Sequence, residues 1–247
     1  MKKIFLLLVC FFALSCAASA AEVEVWQDPA LNFSGIKKIF IMPFDSKLEA
    51  KSSLMPEKQQ NAQIISWAAD GIAASMGKGK ITVKSLEDLK EDMKFIYGEK
   101  IPDGAEFFKA ASEMGYSVFV KASLTQNFVT QHVPESTRTY TEYKEIEKRD
   151  KNGRIIETLR IPEEKTEIIP AHDVTYLSTN VEPKIFLTSD PEGDHVAAAK
   201  GSIYREYQGG PVMKVVENLV KASMKEIFKH DDKIKTPKNK SKLKNRS

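Results

Sequence analysis

The chain has 247 residues, 42% of them apolar and 29% charged, and it contains two cysteines. Both, Cys10 and Cys16, fall in the first 20 residues, so a chain cut after Ala20 has no thiol for a disulfide, a nucleophile or a metal site. The net charge of +3 hides an asymmetry: residues 229–247 hold eight Lys or Arg against two Asp, while residues 21–228 sum to about −5.

The first residues, Met1-Lys2-Lys3 followed by "IFLLLVCFFAL", have a basic start and an apolar run too short to span a bilayer as a helix. With "SCAASAA" behind them they make a secretory leader. Ala18-Ser19-Ala20 meets the small-x-small rule of signal peptidase, which predicts cleavage before Ala21. An alternative stays open: the small residues before Cys16 also read as a lipoprotein signal that leaves Cys16 as a lipidated first residue, although Ala13 stands where leucine is usual. No second apolar run has spanning length, so no transmembrane span is expected. These features predict an exported protein, periplasmic or outer-membrane-associated.

Next comes "IKKIFIMPF", a strand closed by Pro43 in which Ile36, Ile39, Phe40, Ile41 and Met42 leave almost no polar face. Strands buried on both sides look like this in sheets covered by helices. Pro56 and Glu57 suit a helix start, and Ile64, Trp67, Ala68, Gly71, Ile72, Ser75 and Met76 then recur along one helical stripe. Gly77 and Gly79 end it. "KITVKS" reads as a short strand, and Ser85 with Asp88 forms a capping box for the helix carrying Leu86, Leu89 and Met93. Phe107, Phe108, Ala111 and Met114 share the face of a further helix stopped by Gly115, before the strand "YSVFVKASL".

The middle of the chain changes character. From about residue 130 to residue 194 it is rich in Thr, Glu, Lys and Tyr. "RTYTEYKEIEKRDKNGRIIETLRI" predicts two strands joined at Lys151-Asn152-Gly153, with "DVTYLSTNV" and "PKIFLTS" as separate strands after it. The body closes with the strand "AAAKGSIYREY" and a helix that turns Val212, Val215, Val216, Leu219 and Ile227 to the core. The last ten residues hold one apolar side chain among Lys, Asn and Ser, too little to bury a core. The expected organisation is a leader over 1–20, one α/β domain over 21–229 with a β-rich insertion at about 129–196, and a basic tail over 230–247. The expected fold class is α/β: a mixed sheet covered by helices, with a β-hairpin-rich insertion and a C-terminal helix.

This order, with "KIFIMPF", the capped "ITVKSLEDL", a helix ending "ASEMGY" and the strand "SVFVKASLTQNF", resembles a bacterial envelope α/β superfamily. That group includes the TolB amino-terminal domain, the curli-secretion lipoprotein and the activator lipoproteins of penicillin-binding proteins. The resemblance covers roughly residues 36–128 and 197–229. It implies a protein that binds other envelope proteins or assembles with them and is not an enzyme. In the secretion channels of the group an insertion supplies membrane-spanning hairpins. Here one face of the hairpin reads Tyr140, Glu142, Lys144, Ile146 and the other Thr139, Thr141, Tyr143, Glu145, and neither suits lipid.

Motifs for chemistry are sparse. "GKGK" at 77–80 follows a helix and precedes a strand, so it reads as a turn and not as a phosphate loop. His132, His172, His195 and His230 show no ligand spacing for zinc, and no Gly-x-Ser-x-Gly elbow occurs. No cofactor and no metal are expected. Tyr140, Tyr143, Tyr176, Tyr204 and Tyr207 cluster in and after the β-rich part, and at a period of two they would line an exposed face suited to a protein partner; core or ordinary strand tyrosines are the plainer reading. Trp67 is expected in the core. Tyr140, Tyr143 and Tyr176 are therefore the candidate partner-binding residues, with Cys16 the candidate lipidation site. The basic tail offers a second route to anionic lipid, cell-wall polymer or an acidic partner; nucleic acid is not expected, because no aromatic residues sit between its lysines. The leading expectation is an exported, non-enzymatic envelope protein. The alternative is a periplasmic small-ligand-binding protein or hydrolase with Asp45 and Gln126 at the carboxyl ends of the central strands.

Overall fold

The computed structural model describes residues 21–49, 55–77 and 79–229. Cys10, Cys16, the rest of the leader and the tail from His230 onward lie outside the described residues. The chain forms two compact units: one runs to Phe128 and adds Leu177–Arg205 and the segment from Gly209, and the other is Val129–Tyr176 with Glu206–Gln208.

The first unit is an α/β body built on a mixed seven-stranded sheet. Its strands are β1 (Glu22–Gln27), β2 (Lys38–Ile41), β3 (Asp45–Leu48), β4 (Thr82–Ser85), β5 (Val118–Val133), β8 (His172–Leu187) and β9 (Ala197–Glu206), with β5 and β8 continuing into the second unit. The order across the sheet is β1-β9-β8-β5-β2-β4, and β3 also pairs with β5. β2 lies parallel to β4 on one side and to β5 on the other, so the apolar strand predicted for the interior has neighbours on both edges. β3 is the continuation of β2 beyond Pro43, parallel to the later part of β5. β1 runs antiparallel to β9. "DSKL" of β3 is too short and polar to show as a strand in the sequence, whereas "EVEVWQ" of β1 alternates polar and apolar residues as an edge strand does, a signal the expected element order omits.

Alternation along β2 and β5 splits the core in two. Ile39, Ile41, Val118, Val120 and Leu124 are buried with α1 (Glu57–Met76) and α4 (Val212–Ile227). Phe40 and Phe119 point the other way and are buried with Leu89 and Met93 of α2 (Leu86–Tyr97) and Phe107, Ala110 and Ala111 of α3 (Gly104–Glu113). Helices therefore cover both faces, which is why β2 carries no polar side. The predicted capping box is present: Asp88 N–H donates to Ser85 Oγ at 3.0 Å, and Ser85 N–H donates to the Asp88 carboxylate at 3.3 Å. Gly77 ends α1 with φ of 92°, where its N–H donates to Ala73 O, a left-handed position that suits glycine. Trp67 is half-buried and packs against the α1–α4 core.

The second unit contains β6 (Ser136–Arg149) and β7 (Ile155–Ile169), a two-stranded antiparallel sheet of its own. The predicted hairpin is there, with a five-residue connection in which Asp150 Oδ1 accepts from the N–H groups of Asn152 and Arg154, both at 2.8 Å. Gly153 supplies the left-handed residue, φ 78°. "DVTYLSTNV" and "PKIFLTS", expected as two strands, are one: β8 runs unbroken through Pro183. That proline removes one ladder donor, and fully buried Val181 and Ile185 on either side hold the strand in the sheet.

Candidate functional site

The β6–β7 ribbon is the most unusual surface of the chain. All of β6 is exposed, and so is β7 up to its last residue, Ile169. Fourteen residues at a rise of about 3.3 Å make β6 roughly 46 Å long. Its 136–169 segment holds eight Lys or Arg and eight Asp or Glu, and several of them pair across the ladder. Arg160 bonds Glu145 at 2.7 Å, Lys148 lies 3.6 Å from Glu157, and Lys165 pairs with Glu142. The last contact raises the Lys165 pKa through its hydrogen bond to the Glu142 carboxylate. Exposed pairs of this kind contribute little each, and an isolated two-stranded ribbon is marginal in water.

The register decides what each face carries. Opposed residues share a face, so Tyr140/Lys165, Glu142/Glu163, Lys144/Ile161 and Ile146/Leu159 form one side. Thr139/Thr166, Thr141/Glu164, Tyr143/Pro162 and Glu145/Arg160 form the other. The expectation that the tyrosines line one face is corrected here: Tyr140 and Tyr143 are three residues apart, an odd step that sends them to opposite sides. Tyr176 stands half-buried on β8 and shares neither face of the ribbon. Sequence reading missed an aliphatic strip on the face that carries Tyr140, made of Ile146, Leu159 and Ile161, which are 43%, 46% and 47% exposed. Counting parity outward from Asn152-Gly153 is the signal that would have found it.

The carboxyl ends of β2 and β4 border a cavity of about 440 Å³ lined by Pro43, Lys58, Asn61, Lys84, Ser85 and Asp88, among others. Several of its polar groups are engaged by the fold. Asn61 Oδ1 accepts from Phe44 N–H at 3.1 Å, Ser85 and Asp88 cap α2, and Lys84 donates to Asp92 at 2.5 Å. That hydrogen bond holds the Lys84 pKa above its ordinary value. Asp45 and Gln126 are not brought together. Asp45 opposes Ser123 and is exposed, whereas Gln126 opposes Leu48, is buried, and donates through Nε2 to Thr179 Oγ1 at 3.1 Å. Their register positions are three apart, so the two side chains leave the sheet on opposite faces. His132 Nδ1 lies 2.8 Å from Asp173, both exposed. Among the described residues no three His, Cys, Asp or Glu side chains converge as metal ligands.

No family model and no curated protein matches the chain. Among solved structures, a PelC dodecamer from Paraburkholderia phytofirmans is similar at a TM-score of 0.41 and 12% identity, over 85% of this chain and 100% of that one. A neuraminyllactose-binding hemagglutinin homolog from Helicobacter pylori follows at 0.32 and 9%, over 81% and 89%. A PDZ domain protein from Parabacteroides distasonis is similar at 0.28 and 10%, over 88% of this chain and 37% of that one. At these scores the likenesses carry no argument about activity. No helix among the described residues is long and apolar enough to cross a membrane.

Proposed function

We propose that this chain is an exported, non-enzymatic envelope protein, of the TolB-like group its strand–helix order resembles, that binds another envelope protein or assembles into an envelope complex. The β6–β7 ribbon is its contact surface, with Tyr140, Ile146, Leu159 and Ile161 at the centre and Tyr143 on the reverse side. The observation that carries this reading is the exposure of those aliphatic side chains on a ribbon that has no third strand among the described residues. These side chains are a little under half exposed, so covering what remains of each is worth about 1 kcal/mol, and a covering partner would stabilise a marginal ribbon. Attachment to the membrane through a lipidated Cys16 or through the basic tail belongs to the same proposal, as does a periplasmic or outer-membrane location.

The test is in-cell cross-linking of the tagged chain and of a variant lacking residues 136–169, with mass spectrometry of what is captured and of the mature amino terminus. Ser136 opposes Ile169 in the ladder, so a short turn can close the gap. A specific envelope protein, or a second copy, captured by the full chain and lost from a folded deletion variant supports the assignment. Undiminished capture by the deletion variant overturns it. The alternative, a small-ligand-binding protein or hydrolase, draws on the cavity at the carboxyl ends of β2 and β4. A thermal-shift screen of envelope metabolites with no stabilisation would discard it.

A further inference from the structure

α2 and α3 cover only part of their face of the sheet. Past them, β8, β9 and β1 carry exposed Glu182, Lys184, Lys200 and Glu24 on the same side. Two cavities of about 430 and 360 Å³ lie there and share Glu182 and Lys184. They form one open trough from Asp45 and Lys121 at one end to Trp26 at the other. It crosses β3, β5, β8, β9 and β1, a span of about 19 Å at 4.8 Å per strand.

A row of rings leads out of the core along this trough. Phe40 stacks on Phe119 with centroids 5.3 Å apart, and Phe119 stacks on Phe186 at 5.4 Å. His195 then stands edge-on to Phe186 at 6.3 Å and to Trp26 at 5.4 Å. Phe40 and Phe119 are fully buried, and Trp26 at the far end is 52% exposed. His195 sets the indole in place while leaving much of it open. Lys121 lies over Phe186 with Nζ 4.9 Å from the centroid. Among the described residues neither Lys121, Lys184 and Lys200 nor Asp45, Glu182 and Glu24 enter an ion pair.

The chemistry of that lining selects its ligand. Three ammonium groups and three carboxylates cancel, so the trough has no net attraction for a polyanion such as nucleic acid, which needs a cationic excess. It is too open for an acyl chain, whose sites enclose most of the ligand's surface, and such a chain would also lie against six charged side chains. An immobilised, half-open indole beside unpaired donors and acceptors on a rigid strand lattice matches a sugar ring: the C–H face lies on the aromatic surface and the hydroxyls bond the charged groups. The length suits several linked rings. We propose that this trough binds an uncharged oligosaccharide of hexose or N-acetylhexosamine units, with Trp26 as the stacking platform and Glu182 and Lys184 as the central polar contacts. This site is separate from the ribbon, and either assignment can fail alone.

The chain has two tryptophans, Trp26 and Trp67, so Trp67→Phe makes Trp26 the sole indole reporter. Maltohexaose, cellohexaose and N-acetylchitohexaose are titrated into that variant, and calorimetry on the unaltered chain reads the same binding should the variant fold poorly. The expected result is a saturable change in Trp26 emission with at least one of them, insensitive to salt. Lys184→Ala or Glu182→Ala should then weaken binding about tenfold, and Trp26→Ala should abolish it with an unchanged far-ultraviolet spectrum. No saturable signal with any of the three up to about 10 mM, or undiminished binding by Trp26→Ala, overturns the proposal.

Discussion

Gly71 of α1 packs against Lys221 of α4 so closely that a Cβ at position 71 would stand 2.7 Å from the Lys221 carbonyl oxygen and 2.8 Å from Met224 Cβ. Both obstacles are fixed to the helix, so neither can swing aside. Gly71→Ala should force α1 and α4 apart and destabilise the body by about 1–3 kcal/mol, despite the better helix propensity of alanine. Urea unfolding of the two proteins measures it. An unchanged or raised midpoint would mean that the helices do not meet at this distance.

Phe40 is the centre of the α2–α3 core. It lies within ring-contact range of Phe107, Phe108, Tyr116 and Phe119 and is fully buried. Phe40→Ala should cost about 3–5 kcal/mol from lost transfer energy and the cavity left behind. Phe40→Leu should cost visibly less in the same denaturation series.

Ser223 of α4 is buried, and its Oγ has no hydrogen-bond partner among the described residues. It lies over Gly201 of β9, where any Cβ would collide with that hydroxyl. Removing an unsatisfied buried hydroxyl recovers its desolvation cost, about 1–3 kcal/mol at most, less the small void created. Ser223→Ala should therefore be neutral or stabilising, while Gly201→Ala alone should destabilise. Combined, the two should be less harmful than Gly201→Ala by itself, a non-additivity that a double-mutant cycle reads directly.

Glu217 accepts from Lys214 at 2.9 Å and from Lys221 at 3.0 Å, and Lys221 also reaches Asp70 of α1 at 3.0 Å. Hydrogen bonds from Lys214 and Lys221 hold the Glu217 carboxyl below its ordinary value of 4.5. A carboxylate whose folded pKa is depressed stabilises the fold above the ordinary value and loses that contribution as pH falls through the folded one. Thermal midpoints of the protein and of Glu217→Gln should thus differ slightly near neutrality and converge below the ordinary carboxylate range. The Lys221 pKa is raised by Glu217 and Asp70, so its contribution is full below the ordinary lysine value and fades only at higher pH. The difference between the two proteins should therefore be flat across neutral pH. A gap that persists undiminished in acid would assign the effect to packing and not to charge.

Much of the body was readable because its signals are local. The doubly apolar "KIFI", the Ser85–Asp88 box and the Val215–Leu219 stripe each declare a period or a cap within a dozen residues. The hairpin at Asn152-Gly153 was legible for the same reason. β3 was not, since it is a four-residue continuation strand held by a partner more than 70 residues away in sequence; β1 carries a local alternation in "EVEVWQ", but its partner β9 lies far along the chain. The proposed contact surface was only half legible. Tyrosines catch attention by type, but whether two of them share a face depends on strand parity, which the register resolves.

The amino-acid sequence alone determined the class of fold, the covering of β2 by helices on both faces, the existence of the ribbon and its balance of charge, because periodicity, caps and turn residues act over a few positions. Tertiary structure decided which side chains meet. It separated Asp45 from Gln126 and Tyr140 from Tyr143, gathered Ile146, Leu159 and Ile161 into one strip, and led a row of rings from Phe40 to Trp26. Those outcomes rest on pairings between distant strands, where a shift of one residue turns every side chain to the other face.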